Sequence, residues 1–350
     1  MSYRLTIEPL GQTVELRAGQ TLLDAALRAG VWLPHACCHG LCATCKVQVR
    51  CGAVDYGQAS PFALMDGERD DGKCLACCAT ADSDVVIEAD IDEEPDALCI
   101  PLQDHEGVVE RIADLTPTIK GIWLRVDGEV AFQAGQYLQL QVPGIDAPRA
   151  FSFANAPSQR GLVELNVRKV PGGAATGWLH EQLQLGDRLR FSGPYGRFFV
   201  RRSDPRPLIF VAGGSGLASP KSMLLDLLEA GDAREIHVFH GARNEAELYG
   251  AEALRELEGA HPNVHYVPAL SESAGADWRG FEGFVHDALH DRFDGDFRGH
   301  KAYLCGPPPM IEAAIRTLMR GRLFERDIHV EKFVTAGDAP QACSPLFRNL

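Results

Sequence analysis

Residues 33–49 read LPHACCHGLCATCKVQV, and the cysteine spacing in this stretch decides the fold of the first part of the chain. Four residues separate Cys37 from Cys42, and two separate Cys42 from Cys45. This is the plant-type C-x4-C-x2-C spacing, in which a short loop holds a [2Fe–2S] cluster by three thiolates. Gly40 allows a backbone turn that a Cβ atom would hinder. The sequence therefore predicts a cluster-binding loop with these three cysteines as ligands.

A fourth thiolate has to come from further along the chain. Residues 74–84, CLACCATADSD, offer three candidates, which are Cys74, Cys77 and Cys78. Two other interpretations exist: buried free thiols, which behave as small hydrophobic residues, and zinc, which C-x2-C pairs also bind. The three-cysteine spacing, followed by an alternating strand, favours the iron–sulfur cluster over both.

Length and charge narrow the classes of function. A chain of 350 residues is long enough for two or three domains. The net charge of −14 argues against nucleic-acid binding, which needs a basic surface, and suits a protein partner with a basic patch. The chain has 11 cysteines and no apolar leader, so we expect a reducing, cytoplasmic location. No apolar stretch approaches the length of a membrane span.

Local patterns divide the chain into segments. Residues 1–90 predict an α+β domain of the β-grasp type: a hairpin turning near Gly11, a helix beginning at Thr21 and ending before Gly30, and later strands at 47–49 and 85–87. The run from Glu88 to Glu110 holds nine acidic residues without Lys or Arg, and predicts a solvated acidic linker placed at residues 91–104.

The remainder changes character twice. Residues 105–203 contain short strand patterns punctuated by Gly and Pro, with one helix at 175–184, which is typical of an antiparallel β-barrel. Residues 204–335 alternate strands and helices, with helices at 221–230, 245–257, 285–289 and 308–319. This alternation predicts an α/β domain with a parallel sheet. Residues 336–350 form a tail.

Several short motifs in these segments are suited to nucleotide binding. FVAGGSGLASP (210–220) is a strand, a glycine turn and a helix, where backbone N–H groups can approach a pyrophosphate. RAFS (149–152) combines a cation, an aromatic ring and a hydroxyl group. Downstream, a second phosphate cradle is possible at Arg168, Gly172, Gly173 and Thr176.

The strand motif YLCGPPPM (303–310) places Cys305 at the carboxyl end of a parallel strand, where ligands of open α/β sheets bind. Glu331 and Phe333 end the last strand at the same edge.

Taken together, RAFS, the GGSG turn, CGPPPM and the terminal EKF resemble the ferredoxin–NADP reductase superfamily, here with a plant-type ferredoxin domain in front. Within it, the chain resembles the reductase components of multicomponent phenol hydroxylases. The likeness covers nearly the whole chain, including SPFALMD, VIEAD, FQAGQY, GFVHDA and GRLFERDI.

The resemblance implies an FAD-binding barrel, an NAD-binding α/β domain, and FAD and NADH as cofactors. It selects Cys77 as the fourth cluster ligand, beside Cys37, Cys42 and Cys45, because Ser83 and Asp84 follow it at the ferredoxin spacing. The implied catalytic residues are Ser152, Cys305, Glu331 and Phe333. The implied cofactor-binding residues are Arg149, Ala150, Phe151, Ser152, Val167, Arg168, Lys169, Gly172, Gly173, Thr176, Gly213, Gly214, Ser215, Gly216, Gly241, Arg243, Cys305, Gly306 and Pro307.

The predicted function is electron transfer from NADH through FAD and the [2Fe–2S] cluster to a separate non-haem iron oxygenase, the oxygenase component of a phenol hydroxylase. No cation cluster for a 2′-phosphate is evident near Gly241 and Arg243, so NADH is preferred over NADPH. Three alternatives remain: a reductase for a toluene or alkene monooxygenase or an aromatic-ring dioxygenase, a cluster-based redox sensor, and a zinc-stabilised interaction domain fused to a flavoprotein.

Overall fold

The computed structural model describes residues 2–92, 94–272 and 275–333. The chain folds as two compact units, of which the first ends at Gln103 and the second begins at Asp104. No helix among these residues has the length and apolar character needed to cross a bilayer. The predicted tail lies outside the described residues, as does Val334 at the end of the last predicted strand.

The first unit is built on a mixed five-stranded sheet in the order β2-β1-β7-β3-β5, beside a small β4–β6 ladder. Strand β1 pairs antiparallel with β2 and parallel with β7. This is the predicted α+β arrangement. Its elements are β1 (Ser2–Glu8), β2 (Gln12–Arg17), α1 (Leu22–Arg28), β3 (Lys46–Cys51), β4 (Val54–Asp55), α2 (Asp66–Asp70), β5 (Lys73–Leu75), β6 (Thr80–Ala81) and β7 (Val85–Glu88).

Helix α1 begins and ends where the sequence predicts. The Thr21 side chain accepts a hydrogen bond from the Asp24 backbone N–H at 3.2 Å, which satisfies one free donor of the first turn. The Asp24 carboxylate accepts from Gln20 and Arg28. Gly30, at φ +75°, ends the helix in the left-handed conformation that favours glycine.

The second unit contains a six-stranded sheet in the order β11-β10-β13-β8-β9-β12, which forms the predicted, nearly closed antiparallel barrel. Its elements are β8 (Gln103–Asp114), β9 (Ile119–Val126), β10 (Tyr137–Gln141), β11 (Arg149–Ser152), β12 (Leu162–Arg168), α3 (Ala174–Glu181) and β13 (Arg188–Tyr195).

The acidic run was only partly predicted correctly. Its last residues are not solvated linker but lie in strand β8, where Glu106 accepts hydrogen bonds from Arg188 at 2.7 Å and Arg190 at 3.4 Å on β13. Opposite charges on neighbouring strands stabilise the pairing, so a run of acids can form a strand when its partner supplies cations.

The parallel sheet of the second unit has the order β17-β16-β15-β14-β18-β19, and each neighbouring pair is parallel. In the sheet, β15 lies on one side of β14 and β18 lies on the other, so the strand order reverses at β14. Such a reversal opens a crevice at the carboxyl ends of the strands. The elements are β14 (Leu208–Gly213), α4 (Ala218–Glu229), β15 (Ile236–Ala242), α5 (Ala251–Ala260), β16 (Val264–Leu270), β17 (Phe281–Glu282), α6 (Val285–Phe293), β18 (Lys301–Gly306), α7 (Pro308–Arg320) and β19 (Ile328–Lys332).

Two of the predicted helices begin several residues away from their predicted starts. The helix predicted at 245–257 is divided by Gly250, at φ +67°, into a 3₁₀ turn at Glu245–Glu247 and helix α5. Helix α4 begins at Ala218, three residues before the predicted start. Pro220 is tolerated there because the first turn of a helix needs no backbone N–H donor.

The barrel and the parallel sheet share one apolar core, in which Ala134 and Phe198 pack with Met223 of helix α4. Gly135 is central to this contact. A Cβ atom on it would lie 2.0 Å from the Phe198 carbonyl oxygen and 2.2 Å from the Met223 methyl group.

We expect Gly135→Ala to lower the apparent Tm of the second unit far more than Gly186→Ala. Both glycines have positive φ, +98° and +89°, but a Cβ on Gly186 meets nothing within 4 Å. The additional cost at Gly135 is overpacking, about 1–3 kcal/mol. Scanning calorimetry of both variants measures the difference, and equal shifts would contradict the packing argument.

Candidate functional site

The cysteine loop lies between α1 and β3 and is shaped by left-handed residues. Gly40 has φ +72°, and a Cβ atom there would lie 2.6 Å from the Sγ atom of Cys78. Cys38 and Ala43 also have positive φ. Position 40 therefore requires glycine for two reasons: the backbone is left-handed there, and a side chain would have no space. Cys38 is half-buried rather than part of the core.

The four predicted cluster ligands form two pairs. Interaction with the Cys42 side chain and burial raise the pKa of Cys37, and interaction with the side chains of Cys45 and Cys78 raises the pKa of Cys77. The hydrogen bond from Cys37 is the main reason that the pKa of Cys42 falls to about 5, and the bond with Cys77 likewise lowers the pKa of Cys45. Cys42 and Cys45 therefore favour the thiolate form that binds metal, whereas Cys37 and Cys77 keep their protons until a metal displaces them.

The spread of these sulfurs fits a cluster better than one zinc ion. Four thiolates around zinc, at about 2.3 Å each, would lie about 3.8 Å apart. Across the described ranges, the only three candidate ligand atoms within 4.8 Å of one another belong to Glu235, His237 and His265. No three cysteine sulfurs of the described residues are therefore gathered as closely as one zinc ion would require.

The neighbouring cysteines have different surroundings. Cys74 is fully buried in β5, and burial raises its pKa to about 12. The Sγ atom of Cys78 lies 3.6 Å from that of Cys77. Among Cys74, Cys77 and Cys78, Cys77 is the residue whose side chain interacts most strongly with that of Cys45.

A second site lies at the crevice between β14 and β18, and glycines bring its walls together. A Cβ atom on Gly216 would lie 2.5 Å from the Cys305 carbonyl oxygen, and one on Gly213 would lie 2.4 Å from Met310 Sδ. Gly306, at φ +144°, similarly faces Gly213. The turn at Gly214–Leu217, which includes Ser215, therefore rests directly on the end of β18.

One carboxylate oxygen joins four elements in this crevice. Oε2 of Glu331 on β19 accepts hydrogen bonds from Ser152 Oγ on β11 at 3.2 Å and from Ser219 Oγ on α4 at 2.9 Å. The Cys305 thiol on β18 donates to the same atom at 3.6 Å. Burial raises the pKa of Glu331 to about 7, although the three hydrogen bonds oppose the rise. We call these four residues the Glu331 cluster.

The structure thus brings together three predicted residues, Ser152, Cys305 and Glu331, and adds Ser219, which sequence reasoning missed. Ser219 belongs to the quoted motif at 210–220, and its hydroxyl is fully buried at the start of α4. A polar side chain at that point was the available signal, but the sequence could not name its partner 112 residues away.

Phe333 lies beside the Glu331 cluster and is the residue directly after β19. Its backbone N–H donates to the Gly306 carbonyl at 3.0 Å, and its half-buried ring packs on the core that contains Cys305. Pro307 follows Gly306 and precedes helix α7. The predicted rim is therefore present at the carboxyl edge of the sheet.

The RAFS motif forms strand β11, paired antiparallel with β10. Arg149 and Ala150 are exposed, Phe151 is half-buried against the barrel core, and Ser152 is buried. The Arg149 guanidinium donates to the carbonyls of Ala147 and Pro148 at 2.8 and 3.1 Å, so its charge is held near the strand without a carboxylate.

The predicted second phosphate cradle is divided in the structure. A Cβ atom on Gly214 would lie 3.8 Å from Arg168 Nη1, so this exposed cation at the end of β12 lies beside the glycine turn. Across the ranges described, the guanidinium group of Arg168 has no hydrogen bond or ion pair, whereas Lys169 pairs with Glu181 at 2.7 Å.

The other residues of the predicted second cradle take part in hydrogen bonds and turns within the chain. Thr176 Oγ1 accepts from the Val170 N–H at 3.1 Å and donates to the Gly173 carbonyl at 3.4 Å. Gly172 has φ +71° in the same turn. The buried Val167 accepts a hydrogen bond from the His180 ring through its carbonyl oxygen.

Gly241 lies within β15, the neighbour of β14, and Arg243 directly follows that strand. A Cβ on Gly241 would lie 3.0 Å from Val285 Cβ. Arg243 donates to Glu247 Oε1 at 3.4 Å, and the other oxygen of Glu247 accepts from Thr116 and Thr118. The cation at this edge is therefore partly neutralised.

Three family models match the chain in succession. Residues 5–82 match a 2Fe-2S iron-sulfur cluster binding domain, residues 109–200 an oxidoreductase FAD-binding domain, and residues 210–316 an oxidoreductase NAD-binding domain.

Curated relatives match over the full length. The chain is 61% identical to the phenol 2-monooxygenase reductase component DmpP of Pseudomonas sp. (strain CF600), and 59% identical to the phenol hydroxylase P5 protein of Acinetobacter pittii (strain PHEA-2). Each alignment covers 100% of both chains.

Solved structures agree with the fold. The Amycolatopsis cytochrome P450 reductase GcoB superposes with a TM-score of 0.88 at 37% identity, covering 95% of this chain and 99% of that one. The ferredoxin reductase of carbazole 1,9a-dioxygenase gives 0.80 at 26% identity, with the same coverage. The chain therefore belongs to the family of FAD- and NAD-dependent iron–sulfur reductases that includes the reductase components of phenol hydroxylases.

Proposed function

We propose that this protein is the NADH-dependent reductase component of a phenol hydroxylase and supplies electrons to a separate oxygenase. The Glu331 cluster is the structural observation that carries the redox part of this proposal, since it joins the barrel to the carboxyl edge of the parallel sheet. The full-length likeness to two phenol hydroxylase reductases supports the choice of partner. When bound, FAD accepts a hydride from NADH as two electrons and releases them singly, as a [2Fe–2S] cluster requires.

In this proposal strand β11 holds the flavin. Arg149 would bind a flavin phosphate through a charge that no carboxylate in the described structure neutralises. Phe151 would lie against the ring system, and Ser152 would turn its hydroxyl hydrogen from Glu331 to the flavin. Ala150 lies between them on the strand. Val167, Arg168, Lys169, Gly172, Gly173 and Thr176 complete the cofactor contacts at the adjoining strand and turn.

The nicotinamide nucleotide occupies the crevice at Gly213, Gly214, Ser215, Gly216, Gly306 and Pro307. Burial and the adjacent Glu331 raise the pKa of Cys305 well above its ordinary value, so the residue stays a neutral thiol. A neutral thiol can lie beside the nicotinamide without adding charge to the hydride path. Phe333 closes the rim, and Ser219 holds Glu331 in position.

NADH is favoured over NADPH because Arg243 is already paired with Glu247 beyond Gly241. A 2′-phosphate would have to compete with this carboxylate for the cation.

The segment limits and the location belong to the same proposal. The cluster domain spans residues 1–90, an acidic linker 91–104, the FAD domain 105–203, the NAD domain 204–335 and a tail 336–350. We place the protein in the cytoplasm, because each cysteine in the described part of the chain is a free thiol.

A second candidate is a reductase of the same design for another oxygenase. It is favoured by 40% identity to the aromatic O-demethylase reductase subunit of Amycolatopsis, covering 93% of this chain. The redox-sensor alternative predicts slow turnover of NADH.

The test is an anaerobic NADH titration followed by absorbance and EPR, then reconstitution with purified oxygenases. Loss of both flavin and cluster absorbance, with phenol hydroxylation only in the presence of phenol hydroxylase oxygenase, supports the proposal. Faster electron delivery to an O-demethylase or ring dioxygenase would favour the second candidate, and very slow cluster reduction would favour a sensor.

We expect Cys77→Ser to lose most of the cluster iron, whereas Cys78→Ser keeps it. The two residues are adjacent, but in this proposal Cys37, Cys42, Cys45 and Cys77 are the ligands. Iron content and the EPR signal of the reduced protein measure the outcome. Iron loss in the Cys78 variant with retention in the Cys77 variant would reverse the assignment.

We expect Cys305→Ala to slow flavin reduction by NADH roughly tenfold to a hundredfold while FAD remains bound, because loss of the thiol misplaces the nicotinamide. Stopped-flow absorbance under anaerobic conditions gives the rate. Cys51→Ala, an exposed cysteine of the first unit, is the control. Reduction at the wild-type rate would remove Cys305 from the site.

Glu331 should also make stability depend on pH. Its pKa is raised from 4.5 to about 7, so between these values the folded chain binds more protons than the unfolded chain. Stability therefore falls as pH rises through this window, by up to about 3 kcal/mol. Glu331→Gln keeps an acceptor but removes the titration, so the Tm of the wild type minus that of the variant should decrease between about pH 5 and about pH 8. A constant difference would contradict the pKa shift.

A further inference from the structure

A cluster of possible metal ligands lies at the other end of the parallel sheet. Glu235 directly precedes β15, and His237 on β15 is aligned with His265 on β16. One ligand atom from each of the three residues lies within 4.8 Å of the other two. We call these residues the His237 cluster. Gly241, at the nucleotide edge, is about 13 Å further along the strand, at about 3.3 Å per residue.

The distances suit one small cation. The Nε2 atoms of His237 and His265 lie 3.6 and 3.4 Å from the same oxygen, Glu235 Oε2. Ligands at about 2.0–2.1 Å from a tetrahedral zinc ion are separated by about 3.3–3.4 Å. Both imidazoles therefore already face the carboxylate at nearly the spacing that coordination requires.

The rings are also held in position. The imidazoles of His237 and His265 stack with centroids 4.6 Å apart, and the edge of Phe293 contacts the His237 ring at 4.9 Å. His237 is only 5% exposed, whereas the side chains of His265 and Glu235 are 29% and 61% exposed. One ligand is thus fixed, and the other two can turn to meet an ion entering from solvent.

The buried ring of His237 is not fully hydrogen-bonded within the described residues. Within the described residues its Nδ1 has no hydrogen-bond partner, and Nε2 only approaches Glu235 beyond hydrogen-bond distance. An ion bound at Nε2 would give that nitrogen a partner, whereas Nδ1 would stay unpaired at some cost.

We propose that Glu235, His237 and His265 bind a divalent transition-metal ion, with zinc as the best match to two imidazoles and one carboxylate. Three protein ligands leave a fourth position for water. The ion would tie β15 to β16 far from the Glu331 cluster. It therefore stabilises the fold and takes no part in hydride transfer. This inference does not depend on the proposed function.

The test is equilibrium dialysis of the holoprotein against Zn²⁺ at neutral pH, with zinc and iron measured together and the cluster absorbance monitored. We expect one zinc ion per chain beyond any bound by free thiols, and a higher Tm with zinc at an unchanged rate of flavin reduction. His265→Ala and Glu235→Gln should each weaken this zinc site at least about tenfold.

His286→Ala is the matched control, because its side chain is 26% exposed and its Nε2 lies 3.7 Å from the carboxylate of Asp287. It should bind zinc like the wild type. An anomalous diffraction peak between the three side chains would locate the ion. The proposal is overturned if the wild type takes up no additional zinc, or if His265→Ala and Glu235→Gln bind as much as the wild type.

Discussion

The crevice that contains the Glu331 cluster depends on the close contact between the glycine turn after β14 and the end of β18. Gly216 touches the Cys305 and Gly306 backbone at a distance that excludes a side chain. This contact sets helix α4 where Ser219 reaches Glu331, and it brings Cys305 to the same carboxylate. A bulkier turn would separate the donors from their acceptor, because packed backbones cannot yield by the ångström or more required.

Helix α4 also fastens the barrel to the parallel sheet. Lys221 pairs with the buried Glu164 of β12 at 2.7 Å, and Ser222 donates to the Asn155 carbonyl at 2.7 Å. With Ser219, three positions within four residues of one helix fix strands that come from separate parts of the chain. A buried charge pair is costly to break, so these contacts favour one arrangement of the barrel and the sheet. Ser152, Cys305 and Glu331 consequently meet at a preformed site.

The local rules of the sequence were reliable where one residue had one dominant physical role. Thr21 and Gly30 delimit α1, and Gly40 forms the cluster turn, because capping and positive φ depend on the immediate neighbours. The errors arose where a residue distant in sequence or a left-handed glycine determined the local structure. The acid Glu106 became a strand residue because β13 supplies Arg188 and Arg190. The helix predicted at 245–257 was divided by Gly250, whose left-handed conformation no local periodicity revealed.

The sequence by itself determined the cluster loop through cysteine spacing, the alternation that makes the parallel sheet, and the carboxyl edge where Cys305 and Glu331 end their strands. Only the tertiary structure decided that Ser219 completes the Glu331 cluster, that Arg168 lies beside Gly214, and that Glu235, His237 and His265 converge. The reason is that spacing along a chain fixes backbone geometry over a few residues. Hydrogen bonds and ligand sets between side chains remote in sequence depend on how strands and helices pack, which no short motif encodes.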